Sequence, residues 1–146
     1  MKENFIVYLK KIGLDEEAIK RIEEIYVLFN QTFNYEIEDI FVEDSIDSIG
    51  NRKYNHLQFF SKNNIFFDAV DFLSEYDYNI YRFNKISSVH ISTSNYNFKE
   101  STKSSRLTVE LLFNEISSET DYSFEATREN CDALRDILIK YFIEPL

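Results

Sequence analysis

The spacing of apolar residues divides the chain into a helical start, a strand-rich middle and a helical end. Phe5, Leu9 and Ile12 share one face of a short helix that Gly13 ends. Asp15 then caps a longer helix, with Glu16 and Glu17 at its positive pole and Leu14 and Ile19 placed for a hydrophobic staple. Ile19, Ile22, Tyr26, Phe29 and Phe33 continue the stripe, opposite Lys20, Glu23, Glu24 and Gln31, so a helix is expected from Asp15 to about Thr32.

Beyond this point the period changes. "HLQFF" and "IFFDAVDFL" read as strands around an Asn63-Asn64 turn, and Gly50-Asn51 offers a second hairpin turn. "NIYRF" and "ISSVHIST" follow as strands, the latter with Val89, Ile91 and Thr93 on one face. "RLTVELLF" alternates cleanly through Leu107, Val109, Leu111 and Phe113, and "DYSFEA" through Tyr122, Phe124 and Ala126. The last helix is expected to start at an N-cap Thr127 and to bury Cys131, Leu134, Ile137, Leu138, Tyr141 and Phe142. Asp136 stands four residues before Lys140, the order that favours a helical ion pair, and Pro145 stops the helix.

This order of elements resembles the pleckstrin-homology superfold over about residues 36 to 143. The residues that carry the likeness are "HLQFFSKNNIFFDAV", "FNKISSVHIST" and "LTVELLF … YSFEATRENCDALRDILIKYF". The resemblance implies an α+β fold in a single domain, 1–146. A helical arm (1–33) would precede antiparallel strands (36–126) in a partly open barrel or sandwich, closed by an amphipathic helix (127–143). Lipid-binding members of that superfold use a basic loop between their first two strands. Here "GNRKYN" supplies only Arg52 and Lys53, directly after an acidic run, so the likeness points to the protein-binding members.

Composition narrows the chemistry. The 146 residues carry a net charge of −10, which disfavours nucleic acid and anionic membrane as partners and favours a basic protein. Cys131 is the single cysteine, so no internal disulfide forms, and a reducing cytoplasm fits. The apolar run Phe5 to Leu9 is too short for a signal peptide, and nothing later reaches the length of a membrane span. Walker, dinucleotide and nucleophile-elbow motifs are absent, as is metal-ligand spacing around His56 or His90. The expectation is a non-enzyme without cofactor or metal.

One segment stands out. "YEIEDIFVEDSID" holds six carboxylates, Glu36, Glu38, Asp39, Glu43, Asp44 and Asp47, and no base. With Ile37, Ile40, Phe41, Val42, Ile46 and Ile49 inside, all six acids are expected in water. The sequence leaves open whether this strip is a solvated face or a recognition surface. If a partner docks, the strip and the tyrosines Tyr76 and Tyr78 are where contact is expected, as in an immunity or inhibitor protein blocking a basic toxin or nuclease. The alternative is an assembly subunit that self-associates or docks through its N-terminal helices. "NFKESTKSSR" is the one locally basic loop: Lys99, Lys103 and Arg106 stand among the hydroxyls of Ser94, Ser101, Thr102, Ser104 and Ser105, a set able to bind an anion, although the favoured reading is the polar composition that any exposed hairpin loop needs.

Overall fold

A computed structural model describes residues 1–62, 64–74, 77–113 and 121–143. Its class is α+β: two N-terminal helices, a four-stranded and a three-stranded antiparallel sheet, and a C-terminal helix, with no closed barrel among the described residues. The chain divides into two compact units, Met1–Val42 with Asn55–Phe83, and Glu43–Tyr54 with Asn84–Leu146.

The first unit opens with α1 (Glu3–Lys11), which ends at Gly13 in the left-handed region. In α2 (Glu16–Val27) the Asp15 carboxylate accepts from the Ala18 amide at 2.9 Å, as the sequence predicts. A π-helical turn, Leu28–Thr32, extends it. The strands are β1 (Ile37–Ile46), β2 (Arg52–Ser61), β3 (Ile65–Val70) and β4 (Asp77–Arg82), hydrogen-bonded in chain order. β2 and β3 pair from His56 with Val70 to Ser61 with Ile65, around a turn in which Asn64 is left-handed.

Both faces are buried along the second half of β2 and along β3, so these stretches read as apolar runs rather than as an alternation. On one face Phe29 stacks on Phe67 at 4.2 Å between centroids and meets Phe59 and Tyr78 edge-on. The N-terminal helices are therefore integral to the unit, with Leu9, Ile22, Ile25 and Phe29 fully buried. The other face carries a cross-strand row, Phe60, Phe66 and Tyr81, with neighbouring rings stacked at 5.5 and 5.0 Å.

The second unit is built on β5 (Ile86–Ser94), β6 (Arg106–Phe113) and β7 (Asp121–Thr127), again in chain order. Leu107, Val109 and Leu111 are buried together with Tyr122, Phe124 and Ala126, the two alternations read from the sequence. Val109 pairs with Phe124, and Leu111 with Tyr122. α3 (Asn130–Ile137), continued by a π-helical turn to Ile143, packs Cys131, Leu134, Ile137 and Leu138 inward.

Some expectations need correction. Thr127 ends β7 instead of capping α3; the capping position is Glu129, reached through a left-handed Arg128. The reason is that Thr127 is held in the sheet by its pairing with Arg106. Asp136 pairs with Arg135 at 3.1 Å, the nearer base. Val89, Ile91 and Thr93 do share a face, as the sequence predicts, since they pair with buried Leu111, Val109 and Leu107. Pro145 lies outside the described residues.

Truncation of the ring at the centre of the first unit should be costly. Phe29→Ala is expected to destabilise it by about 3–5 kcal/mol, read as a shift in urea midpoint for amides of β2 and β3. A loss below about 1 kcal/mol would contradict the packing described.

Candidate functional site

The acidic run forms β1 and the turn after it, and its six carboxylates occupy different environments. In the first unit Glu36 is exposed and accepts from Lys62 Nζ at 2.8 Å, a contact that lowers its pKa. Glu38 and Asp39 are half-buried, while Ile37, Ile40, Phe41 and Val42 are buried as expected.

In the second unit the expectation that all acids face water fails. Glu43 is buried and Asp44 is fully buried. Asp44 Oδ1 accepts from the Thr127 amide at 3.0 Å and from Asn130 Nδ2 at 2.7 Å. Its Oδ2 accepts from Arg52 Nε at 2.8 Å and from the Thr127 hydroxyl. Arg52 also donates to Glu129 Oε1 at 2.5 Å and lies over the Tyr54 ring. Burial pulls the Arg52 pKa down, but the hydrogen bonds and charges of Glu129 and Asp44 outweigh it and leave the guanidinium raised. A carboxylate with this many donors is satisfied, which is the condition for burying it. Asp47 serves the turn: its Oδ1 accepts from the Ile49 and Asn51 amides at 3.0 and 2.8 Å. That turn carries Ile49 out to 80% exposure, contrary to its expected place inside.

The tyrosine expected beside this strip, Tyr78, is half-buried against Phe29. Tyr76 lies outside the described residues.

Three groups with chemical potential have structural partners. His56 Nδ1 stands 2.9 Å from Asp68 Oδ1, a buried carboxylate on the neighbouring strand. The register explains the meeting: Asp68 pairs with Gln58, so His56 is its diagonal neighbour on the same face. Sequence reading missed this pair because strand register was not fixed; the alternation of His56, Gln58 and Asp68 on one face was the available signal. His90 is exposed, as expected, with Ser92 Oγ 3.3 Å away. Cys131 is buried, and burial followed by nearby carboxylates pushes its thiol up to about 12, which removes the thiolate that nucleophilic chemistry needs. Among the described residues no group of three His, Cys, Asp or Glu side chains is arranged to hold a metal ion.

The basic loop is folded in place. Ser105 Oγ donates to the Asn95 carbonyl at 2.8 Å and accepts from the Thr102 amide at 2.9 Å. Ser101 Oγ and Tyr96 Oη both donate to Asp132, at 2.7 and 2.8 Å, and Arg135 donates to the Lys99 carbonyl at 2.6 Å. Burial opposes ionisation of Asp132, but the hydrogen bonds from Ser101 and Tyr96 with the charge of Arg135 hold its pKa below the usual 3.8.

No family model matches the chain, and no curated protein does. Among solved structures, the crystal structure of the C-terminal domain of an unknown protein from Leishmania infantum is similar, with a TM-score of 0.51 and 12% identity over 84% of this chain and 99% of that one. At this identity the likeness is one of fold.

Two outcomes follow from Asp44, which is buried, and Asp132, which is half-buried. Asp44→Ala leaves Arg52 short of a partner and is expected to cost about 3–5 kcal/mol, whereas Asp44→Ala with Arg52→Met should recover part of that loss. Additive losses in a double-mutant cycle of chemical denaturation would contradict the coupling. For Asp132 the folded pKa is depressed, so its stabilisation is complete above the unfolded value near 3.8 and fades as pH falls through the folded value. Asp132→Asn should therefore flatten the acid limb of the stability curve below about pH 4. An unchanged acid limb, measured by urea titration from pH 6 to pH 2.5, would count against this.

Proposed function

We propose that the protein is a non-catalytic, PH-like interaction module that binds a basic protein, as an immunity or inhibitor protein would. The observation that carries this reading is the charge of −10, with acids in excess in both units. Exposed Glu16, Glu17, Glu23 and Glu24 on α2 add to Glu36 in the first unit. A long-range negative field of this kind speeds encounter with a basic partner and repels phosphate backbones. Two sequential antiparallel sheets followed by one helix also fit the element order on which the resemblance to the superfold rests. The burial and pairing of Cys131 and His56 favour a structural role for both.

The contacting acids are narrower than the run as a whole. Asp44 and Glu43 are interior, whereas Glu36 is exposed and Glu38 and Asp39 are half-buried, and these three are the members assigned to recognition. A second reading, assembly through the N-terminal helices, draws on Val7 at 60% and Phe33 at 49% exposure. Deleting those helices is no clean test, because it removes the core around Phe29.

Capture from the native host's lysate with stepwise salt elution separates the two readings. A basic protein released at moderate salt is expected, and the triple variant Glu36→Gln, Glu38→Gln, Asp39→Asn should slow its association about tenfold at low salt. A partner that salt does not dislodge, or recovery of this chain alone as an oligomer, would overturn the electrostatic reading in favour of assembly.

A further inference from the structure

An open pocket of about 570 Å³ lies in the second unit, lined by Ser101, Thr102, Lys103, Arg128 and Glu129. It is formed where the basic loop meets the junction of β7 and α3, and the Arg128 amide donating to the Ser105 carbonyl at 2.9 Å joins the two walls. The charges in it are unequal. Glu129 pairs with Arg52 at 2.5 Å, a guanidinium it shares with Asp44. Lys103 and Arg128 have no ion pair or side-chain hydrogen bond among the described residues, in a protein where acids outnumber bases 26 to 16. What sets these two apart is that they line one pocket, exposed Lys103 on the loop and half-buried Arg128 just past the end of β7.

The backbone sharpens the point. Arg128 has φ 55, a left-handed conformation that costs a residue with a Cβ about 1 kcal/mol or more and that collects at functional positions. It is fixed there because Thr127 is held by Asp44 on one side and Cys131 N donates to the Arg128 carbonyl at 3.1 Å on the other. The loop wall is equally determined, by Ser105 on Asn95 and by Ser101 on Asp132. Both cations are thus mounted on preorganised backbone, which lowers the ordering cost of binding.

We propose that this cavity binds the phosphate group of a small phosphate monoester, with the Arg128 guanidinium and the Lys103 ammonium as its charge partners and the Thr102 hydroxyl beside them. Arg supplies the planar fork that suits phosphate oxygens, and Lys a mobile point charge. The volume falls within the range of small-molecule sites, and the excess of acids elsewhere opposes a polyanionic or membrane-bound form of the same group. The inference is independent of the proposed partner: the acids assigned to recognition, Glu36, Glu38 and Asp39, belong to the first unit.

The test is titration of the full chain with inorganic phosphate and with glucose 6-phosphate, followed by two-dimensional amide NMR at low salt, with chloride as the control. Saturable shifts confined to Ser101–Ser105 and Arg128–Glu129 are expected, at least tenfold tighter than chloride. Equal affinity for the two probes would assign recognition to phosphate alone, and tighter glucose 6-phosphate would add the rest of the cavity; either supports the proposal. Lys103→Ala and Arg128→Asn, the latter keeping a residue that tolerates the left-handed backbone, should each weaken binding about tenfold. No saturable shift, shifts matched by chloride, or binding unchanged in both variants would overturn it. Glu36→Gln should leave phosphate binding unaltered, so failure of the partner reading and failure of this one remain distinct.

Discussion

A fully buried carboxylate, Asp44, sets the terms for the second unit. Its two oxygens are occupied by a backbone amide, an amide side chain, a hydroxyl and a guanidinium. Those donors come from three places in the chain: Arg52 on β2, Thr127 at the end of β7 and Asn130 in the first turn of α3. A buried charge tolerates no missing donor, so this one fixes the end of the β1–β2 hairpin, the last sheet strand and the start of the helix in one arrangement. The left-handed Arg128 follows from it, since the chain must turn between a held Thr127 and a helix that begins at Asn130. The cavity beside Arg128 is a consequence of the same restraint.

The first unit is held by a different kind of force. Its sheet is covered on both faces by aromatic rings, so its specificity lies in ring packing and in one diagonal pair, His56 with Asp68, placed among them. Exposed negative charge gathers on α2 and at the start of β1, where Glu36 pairs with an exposed Lys62. Such an exposed pair contributes little to stability.

Much of the fold could be read from the chain. Capping by Asp15, the turn at Gly50 and the alternation in β6 and β7 are local effects, written in local sequence. The acidic run was harder. A strand next to Glu43 and Asp44 looks solvated until Arg52, Thr127 and Asn130 are known to converge on it, and those contacts span up to 86 positions. Thr127 was misplaced for the same reason: a residue type that caps helices well was already committed to the sheet and to Asp44. The basic character of the loop that holds Lys103 is visible as composition, but Arg128 lies outside that loop and comes to the same pocket only through the fold.

The most direct measurement of this account is amide hydrogen exchange at Thr127. Its N–H is donated to a buried carboxylate, so it should exchange only with global opening of the second unit, at the same rate as core amides of β6 such as Val109. In Asp44→Asn that protection should drop by orders of magnitude relative to Val109. A Thr127 amide that already exchanges quickly in the unaltered protein would contradict the buried carboxylate as the organising constraint.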